Sequence, residues 1–151
     1  MHYPVLHEAS TELLKEGRRP QGNRDAFQTE ILRRQLEGES QLLKLNKLCF
    51  VDRGLLDGTA YYLLDGLPVP PVYATLDLSH YAVAFLLADL NTFEATDIRS
   101  EDLETSRIIG KLLEDVYRSH NIPVVTVPAA PVAERVRFIL EKTAQFSQLS
   151  H

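Results

Sequence analysis

The residues best suited to chemistry stand just past the short apolar runs of this chain. Asp52 and Arg53 follow Leu48–Val51 and precede Gly54 in the stretch CFVDRGLLDGTAYYLL, residues 49 to 64. His7 and Glu8 follow Tyr3–Leu6, and Asp89 with the loop LNTFEATDIRSED, which contains Arg99, follows Tyr81–Leu87. Pro128 to Pro131 come directly after Ile122–Val127. Two acids, Glu8 and Asp52, and two arginines, Arg53 and Arg99, suit phosphoryl chemistry. A carboxylate can hold Mg²⁺ or take a hydroxyl proton, while guanidinium forks neutralise phosphate oxygens.

Each of these residues also has a plainer use. Asp before an apolar helix accepts backbone N–H bonds as an N-cap, a role Asp52 can combine with a functional one, and Gly54 permits a tight turn. Glu8 precedes a helical Ser-Thr-Glu-Leu-Leu and suits a first turn through the helix dipole. Ser100 followed by Glu101 and Asp102 is an ordinary helix start. Arg99 differs, because a cation just outside a helix N-terminus opposes the dipole, which makes an anionic ligand a candidate partner. Tyr61 and Tyr62 read as packing residues, Arg18 and Arg19 as solvated charge, and Cys49 as a small core residue. Gly110-Lys111 is not a phosphate loop, since the position that needs the first glycine is Thr105.

For these side chains to meet, the runs they follow must be neighbouring strands. Tyr3–Leu6, Leu48–Val51, Tyr81–Leu87 and Ile122–Val127 read as strands, the last two nearly continuous in apolar residues, as strands covered on both faces are. Helical patterns separate them. Phe27, Ile31 and Leu36 mark one face after Asn23, and Leu55 to Leu64 fill a short helix stopped by Gly66 and Pro68. Ile109, Leu112, Leu113, Val116 and Tyr117 keep helical spacing. Pro131 opens a last helix whose buried side is expected to carry Val132, Val136, Ile139 and Leu140. The alternation predicts an α/β fold with a parallel sheet, whose ligand site lies at the carboxyl ends of the strands.

The bulk numbers narrow the setting. The 151 residues, 44% hydrophobic, suit one domain with a sizeable core. A formal charge of −5 with mixed signs leaves no electrostatic footprint for nucleic acid or an anionic membrane. Cys49 is the only cysteine, and the histidines at 2, 7, 80, 120 and 151 show no zinc spacing. No stretch reaches the about 18 apolar residues of a membrane span, and MHYPVLHEAS lacks the build of a signal peptide. A cytoplasmic setting is expected.

Five stretches together resemble the P-loop NTPases of the ribosylnicotinamide-kinase-like AAA-type ATPase family. They are YPVLHEAS at 3 to 10, AFQTEILRRQLEGE at 26 to 39, FVDRGLLDGTAYYLL at 50 to 64, TDIRSEDLE at 96 to 104 and IPVVTVPAAPVAERVRFIL at 122 to 140. They cover nearly the whole chain in the family's order. The resemblance implies a three-layer P-loop-NTPase-like parallel sheet flanked by helices, with residues 1–151 forming a single domain. It implies ATP and Mg as cofactors and a small-molecule phosphate acceptor, in an ATPase or a small-metabolite or nucleoside kinase. Asp52 matches the Walker-B-like acid behind Mg²⁺, and Arg53 would reach the transferring phosphate. Arg99, in the lid turn, would clamp phosphate oxygens, and Glu8 matches the general-base position. Pro128 to Pro131 corresponds to the loop beside the adenine.

Two departures stand out. Thr11 replaces the arginine that usually follows the acid matched by Glu8. No GxxxxGK[ST] occurs anywhere in the chain, and the family's first strand, phosphate loop and first helix have no counterpart. The domain is therefore expected to be N-terminally incomplete, with Met1 marking a truncated reading frame or an alternative start, and to bind ATP weakly if at all. The absent strand would lie between the partners of Phe50 and Phe85. The gap must close or take a strand from elsewhere, including from a second copy through the sheet edge. The alternative function is a non-catalytic nucleotide- or protein-binding module of the same ancestry.

Overall fold

Strands and helices alternate along the chain. The computed structural model describes residues 2–17, 24–88 and 100–149. The order is β1 (Val5–Leu6), α1 (Ala9–Lys15), α2 (Arg24–Leu43), β2 (Phe50–Val51), α3 (Asp57–Leu64), a 3-10 turn (Pro71–Thr75), β3 (Ala84–Leu87), α4 (Ser100–Ser119), β4 (Val124–Val127) and α5 (Val132–Leu149). The strands begin two or three residues inside the apolar runs that predict them. The chain divides into two compact units, Met1–Gly58 and Thr59–His151.

In the first unit β1 and β2 pair in parallel, Val5 with Phe50 and Leu6 with Val51. The Tyr3 and Phe50 rings are nearly perpendicular, with centroids 5.5 Å apart. Helix α1 buries Ala9 and Leu13. Helix α2 comes close to β1 at Gly38, where an added Cβ would lie 2.6 Å from a Leu6 methyl. Its buried stripe is Phe27, Gln28, Leu32, Gln35 and Glu39. Leu36, expected on that face, is exposed, because the buried line runs through 28, 32, 35 and 39 and leaves Leu36 about a quarter-turn away.

Arg34 ties α1 to α2. Its guanidinium donates to both carboxylate oxygens of Glu16, at 3.1 and 2.9 Å, and from Nε to Glu30 at 2.9 Å. Arg33 adds a 2.7 Å bond to the same Glu30 carboxylate. Hydrogen bonds from Arg33 and then Arg34 hold Glu30 at about 2, below its usual 4.5. A depressed carboxylate contributes stability that is present above the unfolded-state value and lost as pH falls toward the folded one. Thermal melts are therefore expected to show an acid-induced loss between about pH 4.5 and 2 that is smaller in Glu30→Gln. An identical acid response in the variant would contradict this network.

In the second unit β3 and β4 pair in parallel, from Ala84 with Val124 to Leu87 with Val127. Helix α4 packs on both strands and α5 on β4. Val124 and Val127 are buried in β4, whereas Ala84 to Leu86 are half-buried and Leu87 is exposed. Coverage on both faces, expected for these strands, is thus incomplete among the described residues. Tyr62 and Tyr73 meet edge to face at 6.1 Å, which anchors the 3-10 turn.

Helix ends follow their residues. Gly66 at φ 67 lets the Leu67 N–H reach the Tyr62 carbonyl and close α3, and Asn121 at φ 63 does the same for α4 with Ile122 and Tyr117. One expectation fails in α5. Val132 and Val136 are exposed at 63% and 49%, and Leu140 is exposed as well. Of the four residues expected inside, only Ile139 is half-buried. The covered side runs through Arg135, Phe138, Ile139, Lys142 and Thr143, a stripe turned by one residue. Arg135 Nε donates to the Ala130 carbonyl at 2.9 Å, which fixes the first turn in that orientation.

Candidate phosphate-facing site

Parallel pairing places the residues after β1 and β2 side by side. The Asp52 N–H donates to the Leu6 carbonyl at 2.8 Å, so the pairing carries one residue past β2. Glu8 is the N-cap residue of α1, with φ −60 and ψ 122, and no side-chain cap bond is made there. Its carboxylate instead accepts a hydrogen bond from Ser10 Oγ and faces Arg53, whose Nε lies 3.8 Å from Glu8 Oε1. Arg53 Nη1 is 3.5 Å from Asp57 Oδ2. Asp57 also accepts from the Gly54 N–H at 3.3 Å, which closes the turn between β2 and α3.

A half-exposed guanidinium thus stands between two carboxylates at the carboxyl end of the β1–β2 sheet, with the exposed Asp52 beside it. Both ion pairs are longer than the about 2.7–2.9 Å of charge-assisted hydrogen bonds. The N-cap use of Asp52 is not realised, because α3 begins only at Asp57.

The backbone at Arg53 is unusual. Its φ of 82 lies in the left-handed region, where an L side chain crowds its own backbone. The Gln35 amide donates to the Arg53 carbonyl at 2.8 Å and to Glu39 Oε2 at 2.6 Å. Asp57, Gln35 and Glu39 were not singled out by the sequence. Two signals for them exist there: Asp57 stands four residues after Arg53, and Gln35 and Glu39 follow Leu32 at helical spacing.

Pro128 and Pro131 bound the link from β4 to α5 in the second unit and are exposed. The Pro131 carbonyl accepts the Glu134 and Arg135 N–H groups, which starts α5. Arg99, Asp89, Arg18 and Arg19 lie outside the described residues. Gly110 and Lys111 are inside α4, as expected, and Lys111 pairs with Asp115 at 3.1 Å. Among the described residues no three His, Cys, Asp or Glu side chains converge as a metal cage, and no helix is long and apolar enough to cross a membrane. Asp52 nonetheless fits Mg²⁺, which binds through one or two carboxylates, waters and substrate phosphates rather than through an all-protein cage.

In open parallel α/β sheets ligands bind outside the carboxyl ends of the strands, which is where Glu8, Asp52 and Arg53 stand. The sequence profile of the AAA domain family matches residues 1–135, and the chain belongs to that family. It is therefore a P-loop AAA-type domain, a class that binds nucleotide. No curated protein matches the chain. No solved structure matches it either.

Proposed function

We propose that this domain handles Mg-ATP, as an ATPase or as a small-metabolite or nucleoside kinase related to the ribosylnicotinamide-kinase-like group. The carrying observation is that Glu8, Asp52 and Arg53 share one sheet end in a chain of the AAA domain family. Asp52 would hold Mg²⁺, which when bound would neutralise charge on the β and γ phosphates. Arg53 would move from its carboxylate partners onto the transferring phosphate. Glu8 would take the acceptor proton, with Ser10 orienting its carboxylate. Arg99 as a phosphate clamp and Pro128–Pro131 as the adenine loop are assigned from the family resemblance alone. Residues 1–151 are read as one three-layer domain whose grip on ATP is weakened because they carry no GxxxxGK[ST].

A second reading has its own support. Among the described residues β2 pairs only with β1, and β3 only with β4, so each sheet has an open edge. Phe50 and Asp52 turn their N–H groups to β1, and Ala84 and Ala88 turn theirs to β4. The intervening Val51, Phe85 and Leu87 therefore direct backbone groups away from their partners. A strand from a second copy or another protein would satisfy them, as in a non-catalytic binding module.

Mg-ATP titration by calorimetry, hydrolysis of labelled ATP and sedimentation separate the two readings. Saturable binding or turnover lost in Asp52→Asn is expected. A stable oligomer with no heat from Mg-ATP and no turnover would replace the first reading with the second.

A further inference from the structure

The structure assigns Gln35 and Glu39 of α2 a positioning role for Arg53, a role that rests on reading Arg53 as the phosphate-facing group. Both side chains are nearly fully buried, each with 3% exposure. The Gln35 amide nitrogen has two hydrogens and both are used, one on Glu39 Oε2 at 2.6 Å and one on the Arg53 carbonyl at 2.8 Å. Both neighbours are acceptors. Turning the amide over would set its oxygen against a carboxylate and a carbonyl, so Glu39 fixes which way the amide points.

The consequence falls on the backbone of Arg53. Its φ of 82 is disfavoured for an arginine and persists only where the surroundings hold it. The bond from Gln35 is one such hold, and it comes from the interior of a 20-residue helix rather than from the turn itself. In that conformation the guanidinium lies between Glu8 and Asp57. Were the carbonyl released, Arg53 could relax to negative φ and its side chain would swing away from both. Two polar side chains inside α2 thus set where the cation at the sheet end stands, without touching anything bound there.

The test is by NMR on the labelled full chain, comparing Gln35→Met and Gln35→Leu with the wild type. Met keeps the length and Leu much of the volume, and neither has an N–H to donate to the carbonyl. Arg53 Cα and Cβ shifts are expected to leave their left-handed values in both, and the Arg53 Nε–H to lose order. The Arg34 Nε–H, bonded to Glu30 in the same unit, serves as the unmoved reference. Titration with magnesium tripolyphosphate is expected to be about tenfold weaker in Gln35→Met, as displacement of a positioned group predicts. Wild-type Arg53 shifts and order in either folded variant would overturn the proposal.

If Gln35→Met does not fold, Gln35→Met with Glu39→Leu removes donor and acceptor together and leaves no stranded carboxylate. If that also fails, Glu39→Gln, which lets the Gln35 amide turn over, is expected to lower the order of the Arg53 Nε–H, and wild-type Arg53 shifts and order there would overturn the proposal. Tripolyphosphate leaving wild-type Arg53 unmoved would remove the phosphate reading of the site. The response of Arg53 to the Gln35 variants would still decide the positioning role.

Discussion

Asp52→Asn is expected to lower Mg-ATP turnover by about 10²–10³-fold while leaving the fold intact. The size follows from removing the carboxylate that, in the proposed function, would hold Mg²⁺ against the phosphate charge. Asparagine keeps the shape and loses that anion. Stability is expected to stay within about 0.5 kcal/mol, as for exposed positions without a structural task. Asp52 is exposed, its pairing to Leu6 runs through the backbone N–H, and α3 starts five residues later. Turnover assays and urea melts on the same preparations check both parts. A large loss of stability with turnover unchanged would return Asp52 to a structural role.

Arg53→Gly is expected to separate stability from activity. A left-handed conformation costs an L residue roughly 1–2 kcal/mol, whereas glycine adopts it freely but loses about 0.5–1 kcal/mol more through chain entropy. The contacts of Arg53 to Glu8 and Asp57 are long and its side chain is 41% exposed. Screening therefore keeps each pair within about 0–1 kcal/mol. These effects nearly cancel, so Arg53→Gly should be about as stable as the wild type and more stable than Arg53→Ala, which keeps the strain and loses the pairs. Turnover should fall on the order of a thousandfold in both, as when an arginine leaves the transferring phosphate. Glycine melting below alanine would contradict the strain at this position, and retained turnover would contradict the assignment of its guanidinium.

These two residues were legible in the sequence because an apolar run that ends in charged residues marks both a strand and the side chains at its carboxyl end. Glu8 was legible for the same reason, and parallel pairing made the two ends neighbours. The supporting residues were not. Gln35 and Glu39 are buried in α2, where a hydrophobic pattern assigns polar side chains to solvent and offers Leu36 instead. Their burial becomes intelligible only once the Arg53 carbonyl is seen to need a donor. Asp57 was hidden because it acts on the turn before its helix. In α5 two stripes one residue apart were both compatible with burial, Val132, Val136 and Leu140 being the more apolar. The bond from Arg135 to Ala130 selected the other, and a tie between a side chain and a loop carbonyl leaves no periodic trace.

The most direct measurement is the Arg53 Nε–H resonance of the ¹⁵N-labelled chain during titration with Mg-ATP, with adenosine as the control. The account predicts a saturable shift with Mg-ATP, none with adenosine, and its loss in Asp52→Asn. Mg-ATP binding detected by calorimetry while the Arg53 resonance stays in place would contradict it.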